Sequence, residues 1–305
     1  MEAPALGRDR TVLLQDETGV EHLITELTSP WCALESLHVE GTHEQITEVL
    51  RERLTIAVGG SKSLKSFKCT FRKSSLIDWD RLWRLLKSNN VLEILDIEAV
   101  GVWSSENLCD MLRENTKLSS LRLPDAWWPI NDLKGVSDVL SRDATGLQAN
   151  QTLQKLALSI PHSEQAEVVT NMLRTNQTIR ELAIRSNRLE SYHVVPWLEA
   201  VEGNNVLLLL DLSCCDVPDQ EQVFDTILNL LQTKPWLHLN LRGTPLSSSP
   251  RFSIIQEKLD QNELLFEHRD PNLVKSKCVR LFLCGPPGAG KCSSHLIQVL
   301  CDVEV

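Results

Sequence analysis

A pattern of three apolar residues, apolar-x-x-apolar-x-apolar, returns eight times along this chain. It occurs at Leu34-Leu37-Val39, Leu64-Phe67-Cys69, Leu92-Leu95-Ile97, Leu118-Leu121-Leu123, Leu153-Leu156-Leu158, Ile179-Leu182-Ile184, Leu207-Leu210-Leu212 and Trp236-Leu239-Leu241. Successive copies lie 30, 28, 26, 35, 26, 28 and 29 residues apart. All sixteen residues at the fourth and sixth places are apolar, whereas the place between them holds His38, Lys68, Asp96, Arg122, Ala157, Ala183, Asp211 and Asn240. Alternation of this kind over three residues specifies a short strand with one buried face.

Between the strands, apolar residues return at helical spacing, as in Trp79, Leu82 and Leu86, in Ala166, Val169 and Leu173, and in Val223, Ile227 and Leu231. Each repeat is therefore one strand and one helix. A single strand–helix pair cannot bury its own apolar face, so the units must stack into a solenoid. The fold class expected is α/β: a curved parallel sheet inside and helices outside. Asparagine recurs three residues before the first motif position, at Asn89, Asn115, Asn150, Asn176 and Asn204. The expectation is that it ends each helix in the left-handed conformation that Asn tolerates. Val12, Leu13, Leu14, Leu23 and Ile24 point to a helical cap over residues 1–30, since a solenoid end otherwise exposes its core. Residues 124–150 run long, with Trp127, Trp128 and Pro129 followed by Asp143 to Leu147, and read as a loop or insertion in the fourth repeat.

Period and motif together resemble leucine-rich repeats, specifically the longer helix-bearing class found in ribonuclease inhibitor. The match covers roughly residues 31–265, and the solenoid of eight repeats is placed at 31–268. Ile179-x-x-Leu182-x-Ile184-x-x-Asn187-x-Leu189 carries the family's turn asparagine, and Cys215 is the family's alternative residue in the seventh repeat. The other repeats depart from the pattern there.

At 305 residues and 42% hydrophobic content the chain needs no disulfide or metal staple. Its longest apolar run, Val206 to Leu210, is far short of a membrane span, and no basic-then-apolar signal opens the sequence. A cytoplasmic protein is expected. The nine cysteines show no C-x-x-C pair or zinc spacing and read as reduced, mostly buried residues. Sequons at Asn150 and Asn176 fall at repeat junctions and stay unused without secretion. A net charge of −10 argues against general nucleic-acid binding, which needs a basic footprint.

The polar places of the strands face outward and make a mixed surface with no convergent cluster. The expected role is a concave face for protein partners, on which His38, Lys68, Asp96, Arg122, Lys155, Arg185, Asp211, Asn240 and Arg242 are the candidate contacts. His38 and His238 lie seven repeats apart, too far to share a metal or a proton, so neither a metal nor a catalytic residue is expected on this face.

A second motif closes the chain. Cys278 to Cys284 reads as a buried strand after a linker at 269–277. It runs into Gly285-Pro286-Pro287-Gly288-Ala289-Gly290-Lys291-Cys292-Ser293, and the apolar-periodic Leu296, Ile297 and Leu300 follow. Strand, glycine-rich loop, helix is the order of a P-loop. Its glycines let backbone N–H groups wrap phosphates, the helix N-terminus favours the anion, and Lys291 is placed to reach the β- and γ-phosphates. Cys292 stands where a Ser or Thr hydroxyl normally meets Mg²⁺, and a soft thiol is a poor ligand for a hard cation. Ser293 would point about 100° away around the helix.

Residues 278–305 end fourteen positions beyond Lys291, without a metal-binding Asp or an Asn-Lys-x-Asp guanine-reading motif. The segment therefore reads as a truncated strand/P-loop/helix, unable alone to turn nucleotide over. Repeats followed by a P-loop resemble the Roco family, in which a Roc GTPase domain follows leucine-rich repeats, and most closely the TORNADO-type proteins of plants. The resemblance implies GTP or GDP with Mg²⁺ at Gly285 to Ser293, dimerisation where a complete Roc domain exists, and a signalling or developmental role. The loop wording also looks like adenylate kinases, which leaves ATP open. Three readings follow: an interaction scaffold that is a fragment of a Roco-like regulator, a nucleotide-regulated GTPase completed by further sequence, or a repeat protein that activates a GTPase in trans.

Overall fold

The structure is a computed structural model, and it describes residues 8–14, 16–41, 47–71, 77–99, 105–123, 129–141, 149–160, 165–186 and 189–267. Strands β1 (Asp9–Leu14), β2 (Ser36–Gly41), β3 (Ser66–Phe71), β4 (Ile94–Ala99), β5 (Ser120–Leu123), β6 (Lys155–Ser159), β7 (Glu181–Arg185), β8 (Leu209–Asp211) and β9 (His238–Asn240) form one sheet in chain order. Every pairing is parallel. Helices α1 (Glu17–Thr28), α2 (Glu48–Gly60), α3 (Trp79–Leu86), α4 (Ser105–Glu114), α5 (Ile130–Leu140), α6 (Ala166–Thr175), α7 (Ser191–Gly203), α8 (Glu221–Thr233) and α9 (Phe252–Glu267) alternate with them. Each strand–helix unit packs on the next, which gives the leucine-rich-repeat solenoid. No helix among the described residues is long and apolar enough to cross a membrane.

One unit more is present than the sequence pattern expected. Asp9–Leu14 is a strand, paired with β2 along its whole length, and not part of a helical cap. The run Val12-Leu13-Leu14 hides the alternation because Leu13 turns outward, 53% exposed, while Leu14 is fully buried. A second correction concerns the last repeat, where Leu237 takes the buried place at 2% exposure and Trp236 is 41% exposed. The turn into β9 is one residue shorter than its neighbours, as the register Leu210↔Leu239 shows.

Apolar residues of the strands and helices merge into one continuous core, from Leu14 and Val20 at one end to Leu246 and Ile255 at the other. Burying a side chain of this size contributes about 1.5–3 kcal/mol, so the repeated strand leucines dominate the stability. Local signals set the helix starts. The Oδ1 of Asp16 accepts from the Gly19 amide at 2.8 Å, and that of Asp78 accepts from Arg81 at 3.0 Å, each satisfying an orphan donor of a first turn.

The recurring asparagines do not adopt the left-handed conformation. Among the described residues Cys214 alone outside glycine has positive φ, whereas Asn176 and Asn204 are extended, with φ −71° and −85°. Their side chains do the turning. Each Oδ1 accepts the amides two and three residues on, as Asn176 does from Thr178 at 3.0 Å and Ile179 at 2.7 Å. Each Nδ2 reaches back to the preceding repeat: Asn89 to Gly59, Asn115 to Leu86, Asn150 to Leu112, Asn176 to Leu140 and Asn204 to Leu173. A polar ladder thus threads the apolar core, pinning the helix-to-strand turn of one unit to the helix end of the last. It also consumes the amides of both sequons, since Asn150 and Asn176 are only 5% and 4% exposed.

Candidate functional site

Strand pleating sends alternate side chains to the inner face, and the parallel register aligns them in three rows. The first holds Ser36, Ser66, Ile94, Ser120, Lys155, Glu181, Leu209 and His238. The middle row holds Thr11, His38, Lys68, Asp96, Arg122, Ala157, Ala183, Asp211 and Asn240. Leu13, Glu40, Thr70 and Glu98 begin the third, and Ser159 and Arg185 continue it across β6 and β7. Main-chain bonds from Leu212 to Asn240 and from Cys214 to Arg242 carry the alignment past β8 and β9, so Ser213 and Arg242 extend the third row.

Charges do converge in the first half of this surface, against the sequence expectation of no cluster. The Lys68 ammonium stands 3.9 Å from Asp96 and 3.8 Å from Glu98, and Arg122 lies 3.5 Å from each of the same carboxylates. Neighbouring strands thus carry a cation, two anions and a cation in order. His38 borders the group, its Nε2 3.2 Å from the Thr70 hydroxyl and 3.5 Å from the Glu40 carboxylate. The pairs are loose, and partly exposed pairs of this kind contribute about 0–1 kcal/mol each. Asp96 is the most enclosed member. Burial raises its carboxyl above the usual range, with Arg122 and then Lys68 pulling it back down. Its Oδ1 and the Arg122 Nε are shut off from solvent without a hydrogen bond between them, so charge attraction alone links the two.

The second half is different. Ala157 and Ala183 leave a low neutral floor at the centre, and Lys155 pairs with Glu181 at 2.8 Å along one margin. Asp211 and Asn240 turn their Oδ1 atoms onto the amides of Ser213 and Arg242, at 2.9 and 3.1 Å, closing the turns after β8 and β9. Of the nine candidate contacts, the middle row unites His38, Lys68, Asp96 and Arg122, and Asp211 and Asn240 serve local turns. Lys155 lies on one margin and Arg185 and Arg242 on the other. Glu98 and Glu181 complete the ion pairs and were not singled out from sequence. The signal was present for Glu181, which takes the place of Lys155 in the following repeat, whereas Glu98 meets Lys68 and Arg122 only diagonally.

Behind the face, Cys215 fulfils the turn role expected of it. Its thiol is pushed up to about 11, mainly by burial, and stays protonated to donate to the Ile184 carbonyl at 3.0 Å. Among the described residues no cluster of histidines, cysteines and carboxylates could hold a metal. The candidate nucleotide-binding residues Gly285, Pro286, Pro287, Gly288, Ala289, Gly290, Lys291, Cys292 and Ser293 lie outside the described residues, as does the linker at 269–277; of the expected loop or insertion at 124–150, residues 124–128 and 142–148 also lie outside, and the stretch between them holds helix α5.

The fold is thus that of a leucine-rich-repeat solenoid with a polar inner face. No protein-family model matches the chain. It is similar to Protein TORNADO 1 of Arabidopsis thaliana, at 23% identity over 273 residues, which is 80% of this chain and 19% of that protein. The chain therefore spans about a fifth of that relative's length. Among solved structures, the tropomodulin C-terminal domain from Caenorhabditis elegans is 14% identical with a TM-score of 0.44, covering 55% of this chain and 98% of that one. Leiomodin-1 actin-binding site 2 is 13% identical with a TM-score of 0.25, covering 82% and 94%.

Proposed function

We propose that this chain is a protein-interaction scaffold whose inner sheet face receives a protein partner. The observation that carries the reading is the composition of that face. Nine aligned strands present a largely polar surface, interrupted by Leu13, Ile94 and Leu209, with a neutral floor at Ala157 and Ala183 flanked by charges on both sides. A rigid solenoid holds such a surface without rearranging, which keeps the ordering cost of binding low.

The finer reading makes the scaffold the repeat region of a cytoplasmic Roco-like regulator. Its support is the order of parts in the sequence, repeats then Gly285 to Ser293, together with the similarity to TORNADO 1 across four-fifths of the chain. In that reading residues 278–305 begin a nucleotide-binding domain. Lys291 would hold the phosphates of GTP or GDP, and Cys292 would weaken the grip on Mg²⁺.

Two experiments test these levels separately. Ala157→Trp with Ala183→Trp raises the floor of the inner face, and partners that co-purify with the wild-type chain should be lost from the variant. Undiminished recovery would sink the scaffold reading. Calorimetric titration with GDP, GTP and ATP in Mg²⁺ addresses the second level, with Lys291→Ala as control. Guanine-nucleotide heat abolished by the substitution is the expected result, and silence from every nucleotide would remove the regulator reading while leaving the scaffold intact.

A further inference from the structure

The two halves of the inner face treat their charges differently. Lys68 and Arg122 are neutralised by Asp96 and Glu98, and Lys155 by Glu181. Arg185 and Arg242 are not. Both are exposed, and among the described residues neither guanidinium has an ion-pair or hydrogen-bond partner. They share the third row, where Ser159, Arg185, Ser213 and Arg242 follow one another across β6, β7 and the strand ends beyond β8 and β9. The hydroxyls of Ser159 and Ser213 are likewise unengaged among the described residues. Asp211 of the middle row has its Oδ1 committed to the Ser213 amide.

This alternation of hydroxyl and guanidinium lies in a chain of net charge −10. Two exposed cations left unpaired in line, within an acidic molecule, are complementary to anions brought by something else. The guanidinium fork favours carboxylates, which it binds bidentately. Strands lie about 4.8 Å apart, so Arg185 and Arg242, two strands from each other, are spaced by about 10 Å. A peptide in polyproline II conformation covers about 9 Å in three residues, which is one full turn, so side chains three apart share a face.

We infer that the row Ser159–Arg185–Ser213–Arg242 is the recognition strip for an acidic segment of the protein partner in polyproline II conformation, with aspartate or glutamate side chains three residues apart on one face. The inference rests on the scaffold reading and names the chemistry of what the scaffold holds. Each arginine takes one carboxylate, the serine hydroxyls donate to the oxygens between, and Ala157 and Ala183 leave room for the peptide backbone.

The test uses the full chain and a fluorescent dodecapeptide with glutamate at every third position and serine elsewhere, titrated by anisotropy. A glutamine-for-glutamate peptide and one with its glutamates grouped at one end are the comparisons. Binding of the spaced-glutamate peptide is expected, about tenfold weaker in Arg185→Glu and again in Arg242→Glu, and abolished in the double variant. It should also weaken as salt rises from about 0.05 M to about 0.3 M, through the range where the screening length falls below ~10 Å. Lys134→Glu, exposed on helix α5 and away from the inner face, should leave it unchanged, and matching thermal melts would certify the fold of all variants. Equal binding of the glutamine peptide, insensitivity to both reversals, or no binding to the wild-type chain each overturns the acidic-segment inference. The scaffold reading does not fall with it, because the tryptophan substitutions at Ala157 and Ala183 interrogate that reading with native partners instead of a chosen peptide.

Discussion

The Nδ2 of Asn204 donates to the carbonyl of Leu173 at 2.8 Å, tying the start of one strand to the end of the preceding unit's helix. The same amide group reaches the Asn176 carbonyl at 3.1 Å, and its Oδ1 takes the amides of Val206 and Leu207, each at 2.9 Å. Four main-chain groups at a junction buried to 6% exposure thus depend on one side chain. Asn204→Ala would orphan them together. A buried group left unsatisfied costs about 1–3 kcal/mol, so a loss of about 3 kcal/mol or more is expected in urea unfolding. Asn204→Asp keeps the acceptor but turns a carboxylate toward two carbonyls, and should be at least as damaging. A loss under about 1 kcal/mol for Asn204→Ala would show that the ladder is incidental.

Lys234 occupies the next rung after Asn204. It is 3% exposed, and its ammonium donates to the Asn204 carbonyl, as an asparagine amide would. An ammonium accepts nothing, so the Leu237 amide bonds the Lys234 carbonyl instead, at 3.1 Å, and the turn shortens. Burial lowers the ammonium's pKa, and Glu202 offsets this in part. Between that lowered value and the ordinary lysine value of about 10.4, the unfolded chain binds more protons than the folded one, and stability contributed here rises with pH. Wild type minus Lys234→Gln, followed by urea unfolding from pH 7 upward, should therefore climb across that window. A difference flat with pH would mean the ammonium is not desolvated.

Strand positions were legible because each needed only local information: two apolar residues flanking a polar one, repeated. Leu13 and Trp236 show where that fails. Alternation is invisible when the outward residue is itself apolar, and only the register across the sheet places Leu14 and Leu237 inside. The asparagines were visible as a recurrence but not in their role, because the partner carbonyls belong to a unit about thirty residues earlier. On the inner face, Lys68 and Arg122 were found as candidates. Their neutralisation by Asp96 and Glu98 became evident only when strands stood side by side.

Asp96 permits a test of that neutralised cluster. Its carboxyl is raised first by burial, so the folded state holds its proton to higher pH than the unfolded state does. The stability this contributes is present below the ordinary aspartate value of about 3.9 and is lost as pH rises through the folded value. Asp96→Asn removes the titration, while Glu98 remains 3.8 Å from Lys68 and 3.5 Å from Arg122. The variant should be within about 1 kcal/mol of wild type, and its stability relative to wild type should improve from pH 4 to pH 6.5. Denaturant midpoints at the two pH values decide the matter. A relative loss toward neutral pH would mean that attraction to Arg122 and Lys68 outweighs the burial.

Two adjacent glycines at the end of α2 should respond oppositely to the same substitution. A Cβ at Gly59 would stand 2.8 Å from the Leu85 Cβ and 2.9 Å from its Cδ1, and the Leu85 Cβ cannot swing aside without moving α3. Overpacking of that kind costs about 1–3 kcal/mol, so Gly59→Ala should destabilise by that amount. Gly60 meets nothing within 4 Å and lies in the same helix without positive φ. There the methyl group only restricts the unfolded chain, and Gly60→Ala should stabilise by about 0.4–1 kcal/mol. Thermal unfolding of the two variants reads the difference directly. If both raise the melting temperature, the close approach of α2 and α3 at Gly59 relaxes without cost, and the spacing between these two units is not set by that glycine.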